Sequence, residues 1–113
     1  MLTITETSIG DVSVLSLKGT LMGEPETSEF HERKFRLVES GRIKLVLELS
    51  ELKMINSYGL GALIAALVST RKKGGDIHLA SVSKDIDYVI QTVQLGKIFK
   101  IFRTVEEAAT SLY

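Results

Sequence analysis

The sequence predicts an α/β fold in which helices cover a mostly parallel β-sheet. After an initial pair of strands, segments with strand-like and helix-like apolar spacing alternate along the chain, as in sheets whose parallel strands are joined by crossover helices. Each helical segment carries one apolar stripe, so one side packs on the sheet and the other faces water. The 113 residues contain no linker or internal repeat, and we expect a single domain over residues 1–113.

The first elements are a hairpin and a helix. Residues 2–7 and 12–17 alternate apolar and polar side chains, and a glycine at the turn between them indicates an antiparallel pair. A helix is predicted from Pro25, which suits a first helical turn, to Ser40. Its expected buried side consists of Phe30, Leu37 and Val38.

The middle of the chain contains the most apolar segments. Residues 43–49 resemble a central strand that is buried on both faces, and residues 53–55 form a short extended piece after a turn. The next helix is the clearest in the sequence, since its apolar residues recur at i, i+3, i+4 and i+7 and basic residues end it before Gly74. Its expected buried side consists of Leu60, Leu63, Ile64, Leu67 and Val68.

The last third continues the alternation. Residues 77–80 form a fourth strand, and Ser83 caps a third helix that ends near Gly96. Residues 98–102 form a short final strand, and a Thr-x-x-Glu capping box at Thr104 begins the last helix. The apolar stripes of these helices are Ile86, Val89, Ile90 and Val93, then Val105, Ala108, Ala109 and Leu112. The predicted order is ββαβαβαβα.

Composition argues against several classes of protein. The 14 basic and 14 acidic residues balance, so no general field attracts nucleic acid or an anionic membrane. The absence of cysteine removes disulfides, thiolate nucleophiles and sulfur-ligated zinc. No apolar run reaches the ~20 residues of a membrane span, and the first residues do not form a signal peptide. We expect a cytoplasmic monomer that binds neither nucleic acid nor membrane.

The sequence offers little for catalysis. The two histidines, His31 and His78, lie 47 positions apart and have no carboxylate at metal-ligand spacing, so we expect them to be solvated or packed. The segment Gly59-Leu60-Gly61 lacks the third glycine of a dinucleotide fingerprint and the ending of a P-loop. No Gly-x-Ser-x-Gly elbow is present, although spacing alone leaves a Ser/His/Asp arrangement open. The prediction is a non-enzymatic protein with no metal and no cofactor.

Residues 55–61, Ile-Asn-Ser-Tyr-Gly-Leu-Gly, form the unusual segment. They place a polar pair between an extended piece and a strongly apolar helix, where a helix start offers free N–H groups. In one interpretation Asn56 or Ser57 is an ordinary N-cap and the two glycines allow close packing on the sheet. In the other, the glycines leave the backbone uncovered so that a partner can approach Ser57. The residues alone leave both interpretations open.

This segment and the preceding strand resemble the signature of STAS domains in anti-sigma factor antagonists. In that family a strand ending in Asp-Leu-Ser leads to Asp-Ser-Ser/Thr-Gly-Leu-Gly at the start of a helix. Here residues 45–50 read Leu-Val-Leu-Glu-Leu-Ser and residues 56–61 read Asn-Ser-Tyr-Gly-Leu-Gly. The resemblance covers essentially the whole chain, including the initial hairpin, and implies a STAS-type ββαβαβαβα fold.

The resemblance implies partner switching in signalling and transcription regulation. In the family, the serine after the Asp is phosphorylated by an anti-sigma factor that is also a serine kinase of the GHKL type, and a serine phosphatase resets it. Carried over, Ser57 is the phosphoacceptor, which makes the chain a phosphoprotein. The partner-binding edge then consists of Asn56, Ser57, Tyr58, Gly59, Leu60 and Gly61.

The chain departs from the family pattern at three positions and leaves other functions open. Asn56 replaces the usual Asp, Tyr58 replaces a small residue, and Glu48 replaces the Asp at the strand end. An alternative is a non-phosphorylated STAS scaffold or accessory subunit of a signalling complex or lipid transporter. A third interpretation, a small-molecule-binding protein, requires a concave pocket with convergent polar groups.

Overall fold

The computed structural model, which describes residues 1–113, contains one six-stranded sheet and four α-helices. The strands are β1 (Leu2–Ile9), β2 (Val12–Leu21), β3 (Lys44–Glu48), β4 (Leu52–Ile55), β5 (Asp76–Ala80) and β6 (Ile101–Phe102). The helices are α1 (Glu26–Glu39), α2 (Ser57–Lys72), α3 (Lys84–Thr92) and α4 (Val105–Thr110), with a 3₁₀ turn at Leu95–Lys97. The predicted α/β class is confirmed.

The sheet is parallel except at one edge. Its main path is β1-β2-β3-β5-β6, and only β1 is antiparallel to its neighbour. The short extended piece expected at residues 53–55 is a strand of this sheet, β4. It pairs in parallel with residues 19–21 of β2, after the part of β2 that pairs with β3. Leu52 anchors β4 because its side chain is buried. The register shifts after Leu52, since Gly19 pairs with Leu52 and Thr20 with Met54, which leaves Lys53 as an extra residue in β4.

The two faces of the sheet are covered unequally. Leucines at alternate positions of β2 and β3 point to one face, where α1, α2 and α3 complete a core of 21 buried residues. The other face carries a smaller cluster under α4, made of Val12, Val14, Val46, Ala80, Ala108 and Ala109. Since Leu45, Val46 and Leu47 are all fully buried, β3 is the central strand expected from the sequence.

The apolar stripes of α2 and α3 differ from the prediction. Val68 and Val93, which we expected to be buried, are 46% and 48% exposed. On α2 the buried side instead includes Ala66 and Thr70. Helix α2 is apolar nearly all round, so spacing alone did not identify the side that meets the sheet. Helix α3 ends at Thr92, before the 3₁₀ turn, and the final strand is correspondingly shorter than expected.

A buried lysine joins α1 to α2. Lys34 lies in the buried stripe of α1, and its Nζ donates a hydrogen bond of 2.7 Å to the hydroxyl of Ser69 on α2. Burial lowers the pKa of Lys34, because the charged ammonium loses hydration that one hydroxyl does not replace. None of the helices is both long and apolar enough to cross a membrane.

Candidate functional site

Helix α2 begins at the end of β4 with Asn56 as its N-cap. The Asn56 side-chain oxygen accepts a hydrogen bond of 3.1 Å from the Gly59 amide, and its nitrogen donates to the Met22 carbonyl at 2.8 Å. The first bond satisfies one of the free N–H groups of the helix. The second ties the helix start to the loop after β2. Asn56 is therefore a cap, as one interpretation of the sequence held, and Ser57 is the first helical residue.

Gly59 allows the first turn of α2 to lie against β2. A Cβ atom at this position would lie 2.0 Å from the Leu21 carbonyl oxygen and 2.6 Å from Ile55 Cγ1. Any side chain would thus overlap backbone. At Gly61, by contrast, a Cβ atom would meet nothing within 4 Å. Only one of the two glycines serves close packing on the sheet.

The six residues expected at the partner-binding edge divide into exposed and buried ones. Ser57, Tyr58 and Gly61 are exposed, and Asn56 is half-buried. Gly59 and Leu60 are buried, because they lie on the side of α2 that faces the sheet. Neither Gly59 nor Leu60 can offer a side chain to a partner. The accessible part of the predicted edge therefore consists of Asn56, Ser57, Tyr58 and Gly61.

Exposed apolar side chains adjoin Ser57 in the chain or are held beside its N-cap. Tyr58, the next residue, is 72% exposed, and Met54 precedes the cap by two positions and is also exposed. Met22 is exposed as well and is held beside the cap through its carbonyl. We call Met22, Met54, Asn56, Ser57 and Tyr58 the Ser57 surface. Sequence analysis placed neither methionine at the partner-binding edge.

The Ser57 surface continues along the outer side of α2. Tyr58, Gly61, Ala65 and Val68 are exposed and follow one another at spacings of three or four residues. Solvent-facing positions of a helix are usually polar, and here they are apolar for three turns. The outer side of α2 thus has the composition of a contact surface.

The charge around Ser57 favours an added anion. No acidic residue lies in the first turn of α2, and the cap is a neutral amide. The free N–H groups and dipole of a 16-residue helix give this end a partial positive charge. A phosphate on Ser57 would therefore meet favourable electrostatics within the chain.

The two histidines have different surroundings. His31 is exposed and stacks on Phe35. His78 is buried under α4, and its Nδ1 shares a hydrogen bond of 2.6 Å with the Ser111 hydroxyl, while its Nε2 lies 3.5 Å from Asp76. Sequence analysis did not pair a carboxylate with either histidine. In the structure Asp76, which lies in β5 like His78, supplies one. No group of three or more His, Cys, Asp or Glu side chains is placed to hold a metal ion.

The Ser111–His78–Asp76 chain fixes α4 to the sheet. The Ser111 hydroxyl lies 2.6 Å from the Ala108 carbonyl, at the end of α4. These contacts join the last turn of α4 to β5.

His78 makes the stability of the fold depend on pH. Burial lowers the pKa of His78, an effect that nearby Asp76 opposes and Lys100 reinforces. Because the folded-state pKa lies below the unfolded value, the unfolded chain takes up this proton first. The stability that neutral His78 gives the fold is therefore fully present above about pH 6.5, the ordinary histidine pKa, and is lost as the pH falls further.

The free energy of unfolding should be lower at pH 5 than at pH 7.5, as measured by urea unfolding. His78→Gln should reduce this difference between the two pH values, and His31→Gln should retain it. An equal difference in both variants would contradict the assignment to His78.

Comparisons with known proteins agree with this architecture. The profile of the STAS domain family matches residues 4–108. A Thermotoga maritima protein described as a candidate anti-sigma factor antagonist is 32% identical over 71 residues, which cover 63% of this chain and 63% of that relative. The matched segment is thus less than two thirds of the relative's length.

Solved structures extend the likeness to nearly the whole chain. A crystal structure of a candidate anti-sigma factor antagonist from Thermotoga maritima has a TM-score of 0.88 and 26% identity, and the match covers 96% of this chain and 93% of that one. The Bacillus protein SpoIIAA in its phosphorylated form has a TM-score of 0.74 and 18% identity, with full coverage of both chains. The latter likeness concerns the fold alone. The extent of the family match shows that the chain belongs to the STAS domain family.

Proposed function

We propose that this protein is an anti-sigma factor antagonist, a single STAS domain over residues 1–113 that binds an anti-sigma factor through the Ser57 surface. The observation that carries the proposal is an exposed serine at the positive end of α2, accompanied by the exposed apolar side chains of Met22, Met54 and Tyr58. Apolar residues supply the contact area of protein interfaces, and exposed methionine and tyrosine are enriched in them. The relatives described as candidate anti-sigma factor antagonists support this choice of partner.

The proposed switch is phosphorylation of Ser57. The partner is an anti-sigma factor of the GHKL serine kinase type, which transfers a phosphoryl group to the Ser57 hydroxyl, and a serine phosphatase removes it. SpoIIAA, which shares this fold, has been solved in unphosphorylated and phosphorylated forms. In the cytoplasm, the unphosphorylated chain binds the anti-sigma factor, and the sigma factor is thereby released for transcription. The chain itself supplies the acceptor and performs no catalysis.

The physical basis of the switch is the cost of burying charge in an apolar contact. Phosphorylation adds about −1.5 to −2 charges at pH 7. In the free protein those charges are solvated and lie at the helix N-terminus. In the complex they would have to be desolvated against the partner, next to Met22, Met54 and Tyr58. Phosphorylation therefore weakens binding without needing to change the fold.

Two exposed tyrosines provide a matched test of the docking surface. Tyr58 and Tyr88 are 72% and 73% exposed, but Tyr88 lies on α3, outside the Ser57 surface. Tyr58→Ala should weaken binding to the anti-sigma factor by about 2 kcal/mol, the usual loss for an aromatic residue central to an interface. Tyr88→Ala should leave the affinity unchanged. Calorimetric titration measures both, and equal effects of the two changes would overturn the assignment of the surface.

A second candidate is a scaffold or accessory subunit that binds its partner without phosphorylation. The specific observations that favour it are the bulky Tyr58 directly beside the acceptor and the neutral Asn56 before it. In this case the Ser57 surface remains a contact site, but no phosphate controls it. Mass spectrometry of the protein from its own cells distinguishes the two, since only the first predicts a phosphate on the peptide that contains Ser57.

A further inference from the structure

The outer edge of the sheet at β1 has no partner within the chain. β1 pairs only with β2, and Thr3, Thr5 and Thr7 lie opposite Lys18, Ser16 and Val14. The Thr20 amide bonds to the Met1 carbonyl, which fixes the alternation of the ladder. By this alternation Leu2, Ile4, Glu6 and Ser8 direct their backbone groups away from β2. An eight-residue edge without proline or lysine is a ready template for another strand.

A groove runs beside this edge, between β1 and α1. Its larger part has a volume of about 710 Å³ and is lined by residues 2–4 and by Glu29, Glu32, Arg33 and Arg36 of α1. A smaller part of about 200 Å³ continues it past Glu6. The groove is the largest cavity of the protein, and it contains no residue of the Ser57 surface.

The charges of the groove are arranged in two halves. Along α1, Glu29 and Glu32 come first, and Arg33 and Arg36 follow. A helix with this order complements its own copy when the two run antiparallel, because Glu29 then faces Arg36 and Glu32 faces Arg33. Both pairs are centred between residues 32 and 33. Such self-complementarity is what a two-fold interface requires.

The strand edge has the same centre as the helix. Arg33 Nη1 lies 3.4 Å from the Ile4 carbonyl oxygen, and its Nη2 lies 3.9 Å from the Glu6 carboxylate, so the middle of α1 lies beside Thr5. An antiparallel pairing of β1 with its copy, centred on Thr5, places Ile4 opposite Glu6 and Leu2 opposite Ser8. These are the residues whose backbone groups point outward. A single two-fold axis thus pairs the outward backbone groups of β1 with those of its copy and also brings the opposite charges of the two α1 helices together.

We propose that the face formed by β1 and α1 binds a second copy of this chain, with β1 paired antiparallel to β1 and α1 packed antiparallel to α1. The product is a two-fold dimer with a continuous sheet, in place of the monomer that we expected from the sequence. In the separate chain Arg33 covers the Ile4 carbonyl. The hydrogen bond of Arg33 is long, its ion pair with Glu6 is partly exposed, and the Glu32–Arg36 pair within α1 is largely exposed. These contacts contribute little and can be exchanged for contacts with the copy. The two Ser57 surfaces of the dimer remain free.

Charge exchange tests the proposal directly. In Glu29→Arg every 29–36 contact of the dimer becomes a pair of arginines, and in Arg36→Glu every such contact becomes a pair of glutamates. Each variant alone should dimerise at least ten-fold more weakly than the unmodified protein. An equimolar mixture should form a heterodimer, and the double variant Glu29→Arg/Arg36→Glu should regain dimerisation, because both restore opposite charges at each contact. Sedimentation velocity over a range of protein and salt concentrations measures all four.

A backbone variant tests the strand pairing separately. Glu6→Pro removes an N–H group that points away from β2, so the chain keeps its internal ladder but cannot extend the sheet. Its circular dichroism should match that of the unmodified protein while dimerisation is lost. Three results would overturn the proposal: an unmodified protein that stays monomeric at millimolar concentration, single charge variants that dimerise normally, or a mixture that does not dimerise. These measurements use this chain alone, so their outcomes do not depend on whether the proposed antagonist function is correct.

Discussion

Replacement of Ser57 by alanine should reduce phosphate transfer from the anti-sigma factor kinase to background while leaving binding intact. The Ser57 side chain is exposed, and the hydrogen bonds that hold the helix start are made by Asn56 instead. The change therefore removes the acceptor hydroxyl without disturbing the surface that binds the partner. Radiolabelled phosphate transfer and calorimetric titration on the same preparation measure the two properties.

The other hydroxyl residues near α2 provide the control for this prediction. Ser69 is half-buried and its hydroxyl is bonded to Lys34 and Ala66, and Thr70 is fully buried. Among Ser50, Ser69 and Thr70, only Ser50 is exposed as Ser57 is. Ser50→Ala should be labelled as well as the unmodified protein. Strong labelling that persists in Ser57→Ala would mean that the acceptor has been assigned to the wrong residue.

Replacement of Gly59 by alanine should destabilise the fold by more than about 2 kcal/mol. The added methyl group would lie 2.0 Å from the Leu21 carbonyl oxygen, so β2 and the start of α2 would have to separate. Because this contact sets the position of Ser57 and Tyr58, partner binding should weaken as well. Urea unfolding measures the first effect.

Gly61 offers a matched control two residues away in the same helix. An alanine there meets nothing within 4 Å and replaces a poor helix former by the best one. Gly61→Ala should therefore stabilise the fold by about 0.5–1 kcal/mol. Opposite signs for the two changes are expected. A destabilisation of similar size in both would show that α2 does not approach β2 at Gly59.

The sequence predicted the parts of this fold that depend on local spacing. The hairpin, the central strand buried on both faces and the starts of α2, α3 and α4 follow from alternation and capping residues, which act within a few positions. Asn56, Ser83 and Thr104 each accept a backbone N–H three residues ahead, as caps do. Such bonds depend little on tertiary structure.

The features that were missed depend on contacts between distant segments. The pairing of β4 with β2 and the burial of Lys34 against Ser69 require elements that are separate in sequence. On α2, nearly uniform apolar composition concealed which residues face outward, so Val68 was assigned to the core. The same uniformity concealed the exposed apolar stripe. At the candidate site, the motif located Ser57 and Tyr58, whereas Met22 arrives from another loop through its bond to Asn56.

The most direct test of the central claim compares the Ser57-phosphorylated and unphosphorylated proteins in one buffer. Thermal unfolding and affinity for the anti-sigma factor are measured on both. The helix N-terminus should make the phosphorylated fold as stable as the free one, or more stable by about 0.3–1 kcal/mol. Affinity should nevertheless fall by more than about 30-fold, since an unpaired charge buried in an interface costs about 2 kcal/mol or more. Unchanged affinity, or a loss of folding stability above about 2 kcal/mol, would contradict a switch that acts through surface charge at Ser57.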